Sequence, residues 1–193
     1  MRRHGYVLGV QLYGCATLSR ISSGEDSNAA EQVVKAMRRF IDHPVVQRRG
    51  CAALVNCCPS LACTDGDEVS MVQAVLSAMR RHPSVGAVQQ QGCATIQFLV
   101  MQTCGAEVMK GGGCEVVVTA MRMHPDDRGV QSEGAAALYE LVRFDIFHER
   151  RVAVIAAGGR DAVSAARDRH GDEHVPRAGA VLRELGKVVP VSL

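Results

Sequence analysis

Apolar residues recur along this chain with a helical period, and then the whole pattern recurs. In CEVVVTAMRMH, residues 114–124, Val116, Val117, Ala120 and Met121 fall on one helical face. In VQSEGAAALYELV, residues 130–142, Val130, Gly134, Leu138 and Leu141 form one stripe. Between them lies HPDDRG. Its His suits the negative end of a helix, its Pro cannot continue one, and its Asp pair favours the start of the next. Upstream, GAEVMKGGG reads as a helix of one to two turns closed by glycines. Residues 105–143 are therefore predicted to form a short, a medium and a long helix. Val-rich stretches also suit strands, but the matching segments VVKAMRRF and MVQAVLSAMRRH carry Ala, Met and Arg in helical phase.

The long-helix phrase is written four times. VQLYGCATL, VQRRGCAAL, VQQQGCATI and VQSEGAAAL align on Gly14, Gly50, Gly92 and Gly134, at spacings of 36, 42 and 42 residues. VPRAGAVLREL adds a fainter copy, with Gly179 a further 45 residues on. Met37, Met79 and Met121 each stand 13 residues before their glycine, and Ala166 stands 13 before Gly179. Self-similarity near this period marks a stacked array in which no unit buries its faces alone. The recurring glycine is where a neighbouring helix must come close. The expected fold class is all-α: a solenoid of about four three-helix repeats, forming one domain over 1–193. A partial first repeat covers 1–22, and the others fall at about 23–63, 64–103, 104–146 and 147–193.

Three places depart from the pattern. His43-Pro44 sits three residues later than its counterparts while Met37 and Gly50 keep their offset. That predicts a helix about one turn longer and a shorter loop. In the last unit Val175 and Gly179 fit one phase, whereas Ala178, Leu182 and Leu185 fit another. Residues 21–32 offer no first helix, and the chain starts inside a third helix, an uncapped end.

Composition narrows the picture. With 193 residues, 47% apolar and 22% charged, the chain can bury a core. Aromatics are only 4% and Trp is absent, so small aliphatic residues and Met must fill it. A net charge of +2 gives no ground for a nucleic-acid surface. No apolar run reaches the ~18 residues of a membrane span. The opening has Arg and no acid before Glu25, as in an organelle transit peptide, but VQLYGCATL matches the repeat and reads as structure. Cys15, Cys51 and Cys93 each follow the repeat glycine and read as small buried residues. Eight free thiols suit a reducing compartment, cytoplasm or nucleus.

Each candidate for chemistry has a plainer reading. MKGGGCE lacks the spacing and the Lys-Ser/Thr of a phosphate loop. Gly158-Gly159 at the matching place in the next unit make it a turn. CCPSLAC, with Cys57, Cys58 and Cys63, is the place for a thiol or metal site, but zinc calls for a second Cys or His pair. Cys57 also holds the core position of Ile21, Leu99 and Leu141. His43, His82, His124 and His170 share a helix-end position, and nothing recurs beside them to make a triad. The expectation is a chain with no catalytic residue, no metal ligand and no cofactor.

The blocks AEVMKGGGCEVVVTAMRMHPDDRGVQSEGAAALYELV and RVAVIAAGGRDAVSAARDRH resemble armadillo repeats. The likeness covers nearly the whole chain and is strongest over residues 70–167. It implies a right-handed solenoid whose third helices line a concave groove, with an extended peptide lying across them. The family's peptide-holding Asn falls six residues after each glycine, at Arg20, Asn56, Phe98 and Glu140, so only Asn56 matches. Where some members carry Trp, this chain has Ala16, Ala52, Ala94 and Ala136. The nuclear-import type of peptide binding therefore lacks its residues.

One turn back, Arg48, Arg49, Gln91 and Glu133 join the same face. The groove would run from basic (Arg20, Arg48, Arg49) through neutral (Gln91, Phe98) to acidic (Glu133, Glu140). The implied function is a noncatalytic protein-interaction scaffold. Its partner would be a protein or an extended peptide, acidic near one end and basic near the other. A small-molecule substrate, nucleic acid and a membrane are not expected. Two alternatives stand beside it. One is the array portion of a larger protein whose activity lies elsewhere, self-associating through uncapped ends. The other is a thiol- or metal-dependent enzyme at CCPSLAC.

Overall fold

The computed structural model describes residues 27–57, 67–143, 145 and 149–187, and within them each stretch with the 3.6-residue apolar period forms a helix; VQLYGCATL and the partial first repeat over 1–22 lie outside the described residues. The described residues are all-α, with no strand among them. In chain order the helices are α1 (Ser27–Arg39), α2 (Pro44–Cys57), α3 (Asp67–Arg81), α4 (Gly86–Leu99), α5 (Gly105–Lys110), α6 (Gly113–Met123), α7 (Arg128–Arg143), α8 (Glu149–Ala156), α9 (Gly159–His170) and α10 (Ala178–Gly186). A π-helical turn, Val100–Cys104, joins α4 to α5 without a loop.

The packing forms two ladders. The medium helices stack α1 on α3, α3 on α6 and α6 on α9. The long helices stack α2 on α4, α4 on α7 and α7 on α10. One hydrophobic cluster runs from Ala30 to Leu185 between the ladders. Both predicted stripes lie in it: Val116, Val117, Ala120 and Met121 on α6, and Val130, Leu138 and Leu141 on α7 are all buried.

A single motif closes each of the first three described units. Met37 lies against Gly50, Met79 against Gly92 and Met121 against Gly134. A Cβ on these glycines would stand 2.4, 2.5 and 2.6 Å from the Met Cγ. Three residues before each glycine is a buried Gln. Gln47 Nε2 donates to Met37 O at 3.0 Å and to Phe40 O at 2.7 Å. Gln89 Nε2 donates to Met79 O at 3.0 Å and to His82 O at 2.8 Å. Gln131 Nε2 donates to Met121 O at 2.7 Å and to His124 O at 2.8 Å. These carbonyls lie at or just past a helix end, where no intrahelical donor remains, so the amide caps them from the next helix. Between short and medium helices, Gly112 and Gly158 turn the chain at φ +73° and +81°. A Cβ at the following Gly113 or Gly159 would press within 2.4 or 2.5 Å of Val108 or Val154 Cγ1.

One sequence expectation is corrected here, and a phase left open is decided. α1 ends at Arg39, two residues past Met37, as α3 and α6 end two residues past Met79 and Met121. The helix is not lengthened. Pro44 instead opens α2, where its missing N–H is harmless. Phe40, not His43, takes the place of His82 and His124, because it offers the carbonyl that Gln47 binds. In the last unit the phase is that of Ala178: Ala178 and Leu185 are buried and Leu182 packs half-buried against the core, while Val175 is buried as well. Gly179 has no atom closer than 3.7 Å to an added Cβ, so it is not the counterpart of Gly134.

Gly92→Ala is expected to lower stability by about 1–3 kcal/mol through overpacking against Met79. In urea unfolding, Gly92→Ala with Met79→Ala should lose less than the sum of the two single changes. Additive losses would contradict the wedge.

Candidate interaction surface on the long helices

The long-helix ladder carries the residues singled out for binding. Arg48 and Asn56 on α2 are exposed, and Arg49 is half-buried. Gln91 and Phe98 on α4 are half-buried, with Phe98 packed against the core cluster. On α7, Glu133 is half-buried and Glu140 is only 4% exposed. Arg20 lies outside the described residues. Between these rows Ala52, Ala94 and Ala136 are half-buried, which keeps the surface low. Beneath it, Thr95 Oγ1 lies 3.1 Å from Cys51 O on the neighbouring helix and 2.7 Å from Gln91 O, with one hydrogen to share between them.

The acidic end is not what residue types alone suggest. Glu140 Oε2 pairs with Arg143 Nη1 at 3.0 Å, one turn further along α7. With the last unit in the Ala178 phase, the row through Asn56, Phe98 and Glu140 continues to Glu184. That carboxylate accepts from Lys187 Nζ at 2.6 Å and from Arg151 Nη2 at 2.9 Å. Arg151 is itself buried. Its backbone N donates to Asp145 Oδ2 at 2.8 Å and its Nη1 to Asp145 O at 2.7 Å. The cluster ties α8 to α10 and to the link after α7.

Tyr139 completes this end, with the Arg177 guanidinium 4.9 Å and that of Arg143 5.9 Å from its ring centroid. Sequence reading missed Tyr139, Arg177 and Glu184. The Glu140–Arg143 and Glu184–Lys187 spacings were the available signal, since residues three apart share a helix face.

Two carboxyls on this surface are shifted in opposite directions. The hydrogen bond from Lys187, then that from Arg151, holds Glu184 below the usual carboxylate range. Desolvation pushes half-buried Glu133 up. Burial, the largest cause in each case, also raises the thiols. Cys51 and Cys114 are pushed up to about 12, and Cys93 is raised as well, with Glu133 and Cys51 adding to it. Cys104 is buried too. The side chain of Cys57, and Cys15, Cys58 and Cys63, lie outside the described residues. Among the described residues no three His, Cys, Asp or Glu side chains stand together as a metal site would require. No described helix is long and apolar enough to cross a membrane.

The chain matches no protein-family model, no curated protein and no solved structure.

The pKa shifts give stability changes of opposite sign. A depressed carboxyl stabilises above its unfolded pKa, and the benefit fades as pH falls through the folded value. Glu184→Gln should therefore destabilise at pH 7, and the deficit should shrink toward pH 3. A raised carboxyl is a burden while charged in both states. Glu133→Gln should stabilise at pH 7, and the gain should shrink as pH falls through the raised folded value and vanish below the unfolded one. Urea midpoints across this range test both.

The buried thiols should be inert. Ellman's reagent at pH 8 is expected to leave Cys51, Cys93, Cys104 and Cys114 unmodified in the native chain and to label them in urea. Fast native labelling of Cys51 or Cys93, located by peptide mapping, would contradict their burial.

Proposed function

We propose that this protein is a noncatalytic interaction scaffold: a right-handed, armadillo-like α-solenoid that holds an extended segment of a partner across its long helices. The observation that carries the reading is the ladder itself. Four long helices pack side by side, α2 to α4 to α7 to α10, and carry a row that passes from exposed Asn56 through half-buried Phe98 to Glu140, only 4% exposed. Such a row offers side chains in register with an extended chain. The resemblance of the quoted blocks to armadillo repeats supports the same architecture.

The charge on the surface refines the partner. Arg48 is exposed at the α2 end, with Arg49 beside it, and favours acidic residues there. Glu140 and Glu184 already hold cations of their own chain, so the far end makes a weaker demand for basic residues than the bare sequence implies. Tyr139, flanked by Arg143 and Arg177, offers that end a flat aromatic and cationic platform.

Affinity capture from a cell lysate tests the reading. It compares the native chain with Arg48→Glu, Asn56→Ala and Gln91→Ala combined, three changes outside the buried core. Circular dichroism checks that both remain helical. A partner held by the native chain and lost by the folded variant is the expected result. Equal capture by both would move the interaction off the long-helix row.

A further inference from the structure

The medium helices carry a second recurring device. His82 Nε2 donates to Ile41 O at 2.7 Å, His124 Nε2 to Pro83 O at 2.7 Å and His170 Nε2 to Pro125 O at 2.8 Å. Each bond latches a unit to the loop of the unit before it. A carbonyl only accepts, so Nε2 carries the hydrogen in all three rings.

The latch has fixed neighbours. The residue before the His faces the residue after the carbonyl. In the first latch these are Arg81 and Asp42, joined as an ion pair with Nε at 2.6 Å from Oδ1. In the third they are Arg169 and Asp126, also paired. In the middle latch they are Met123 and Ser84, and no ion pair can form.

A cavity lies at that middle junction. It has a volume of about 380 Å³. Met79, Val116 and Ala120 line it together with Pro83, Thr119 and Met123. Arg80 and Glu115 also border it, and the Arg80 guanidinium donates to Gly111 O. Met123 is 48% exposed although it is a large apolar side chain. The site is thus an apolar hollow with a polar border, lined by Met123 at the position that Arg81 and Arg169 hold in the other two junctions.

We propose that this cavity is a docking pocket for one aromatic side chain, tryptophan or tyrosine, of a partner protein. The volume lies in the range that takes a ring with room to spare. The Met123 thioether and the Pro83 ring are surfaces on which aromatic rings pack well. The Glu115 carboxylate and the Thr119 hydroxyl supply acceptors for an indole N–H or a phenol O–H. A single anchor buried in an apolar pocket with a polar rim is how interfaces concentrate their binding energy. The pocket lies against the medium helices and does not depend on the long-helix row.

The chain has no Trp, so an added indole reports alone in fluorescence. N-acetyltryptophanamide is titrated with the full chain carrying ¹³C-methyl methionine. The expected result is a saturable shift of the Met123 methyl resonance and a blue shift of the probe's emission. Ser84→Asp with Met123→Arg installs the pair used at the other two junctions. That variant should keep its helical melt and lose the emission shift. Thr119→Phe, which fills the hollow from an exposed position, should lose it as well. No saturable change with the native chain would overturn the proposal, as would equal binding by either folded variant. N-acetylleucinamide shifting Met123 as strongly would remove the aromatic preference. Free indole binding far more tightly than the capped residue would assign the pocket to a small molecule instead.

Discussion

A buried amide at the start of each of the first three long helices, α2, α4 and α7, is the contact on which their units depend. The last turn of each preceding medium helix leaves a buried carbonyl at Met37, Met79 or Met121, and leaving such a group unpaired costs about 1–3 kcal/mol. Gln47, Gln89 and Gln131 each donate to it, and also to the part-buried carbonyl of Phe40, His82 or His124, which accepts a backbone N–H as well. The amide needs its helix close by, and the Met–Gly wedge sets that closeness. Medium and long helix are thus joined by one hydrogen-bonding group and one missing side chain, and the same pair recurs in three successive units.

How much of this could be read from the residues varied with the kind of force involved. Apolar stripes, the Met–Gly offset and the glycine turn at Gly112 and Gly158 are local or periodic, and each leaves a mark in the order of residues. The buried Gln did not announce itself. It recurs in every VQxxG phrase, but a polar residue near a helix start is ordinarily solvated, and only the tertiary fold puts two carbonyls beside it. His43 misled because His-Pro looked like a conserved unit of spacing. Its Pro in fact serves the helix that follows, while Phe40 supplies the carbonyl.

The candidate surface was legible in position and less so in charge. Counting from each glycine found the row Asn56, Phe98, Glu140. It could not find the row's continuation, because a longer connection, turning at Gly171 with φ +77°, precedes the last long helix and shifts its phase. Without that phase Glu184 and Arg177 had no address. The acidic residues therefore looked available to a partner, although Arg143, Lys187 and Arg151 already engage them.

The direction of the His latches has a consequence for how the chain is made. In every latch the acceptor carbonyl lies 41 to 45 residues upstream of the donor ring. A ribosome therefore releases the receptor before the group that must find it. Each newly emerging unit meets a finished loop to dock upon, and none has to wait for a successor to complete this bond. Assembly can then proceed vectorially during synthesis, one unit at a time.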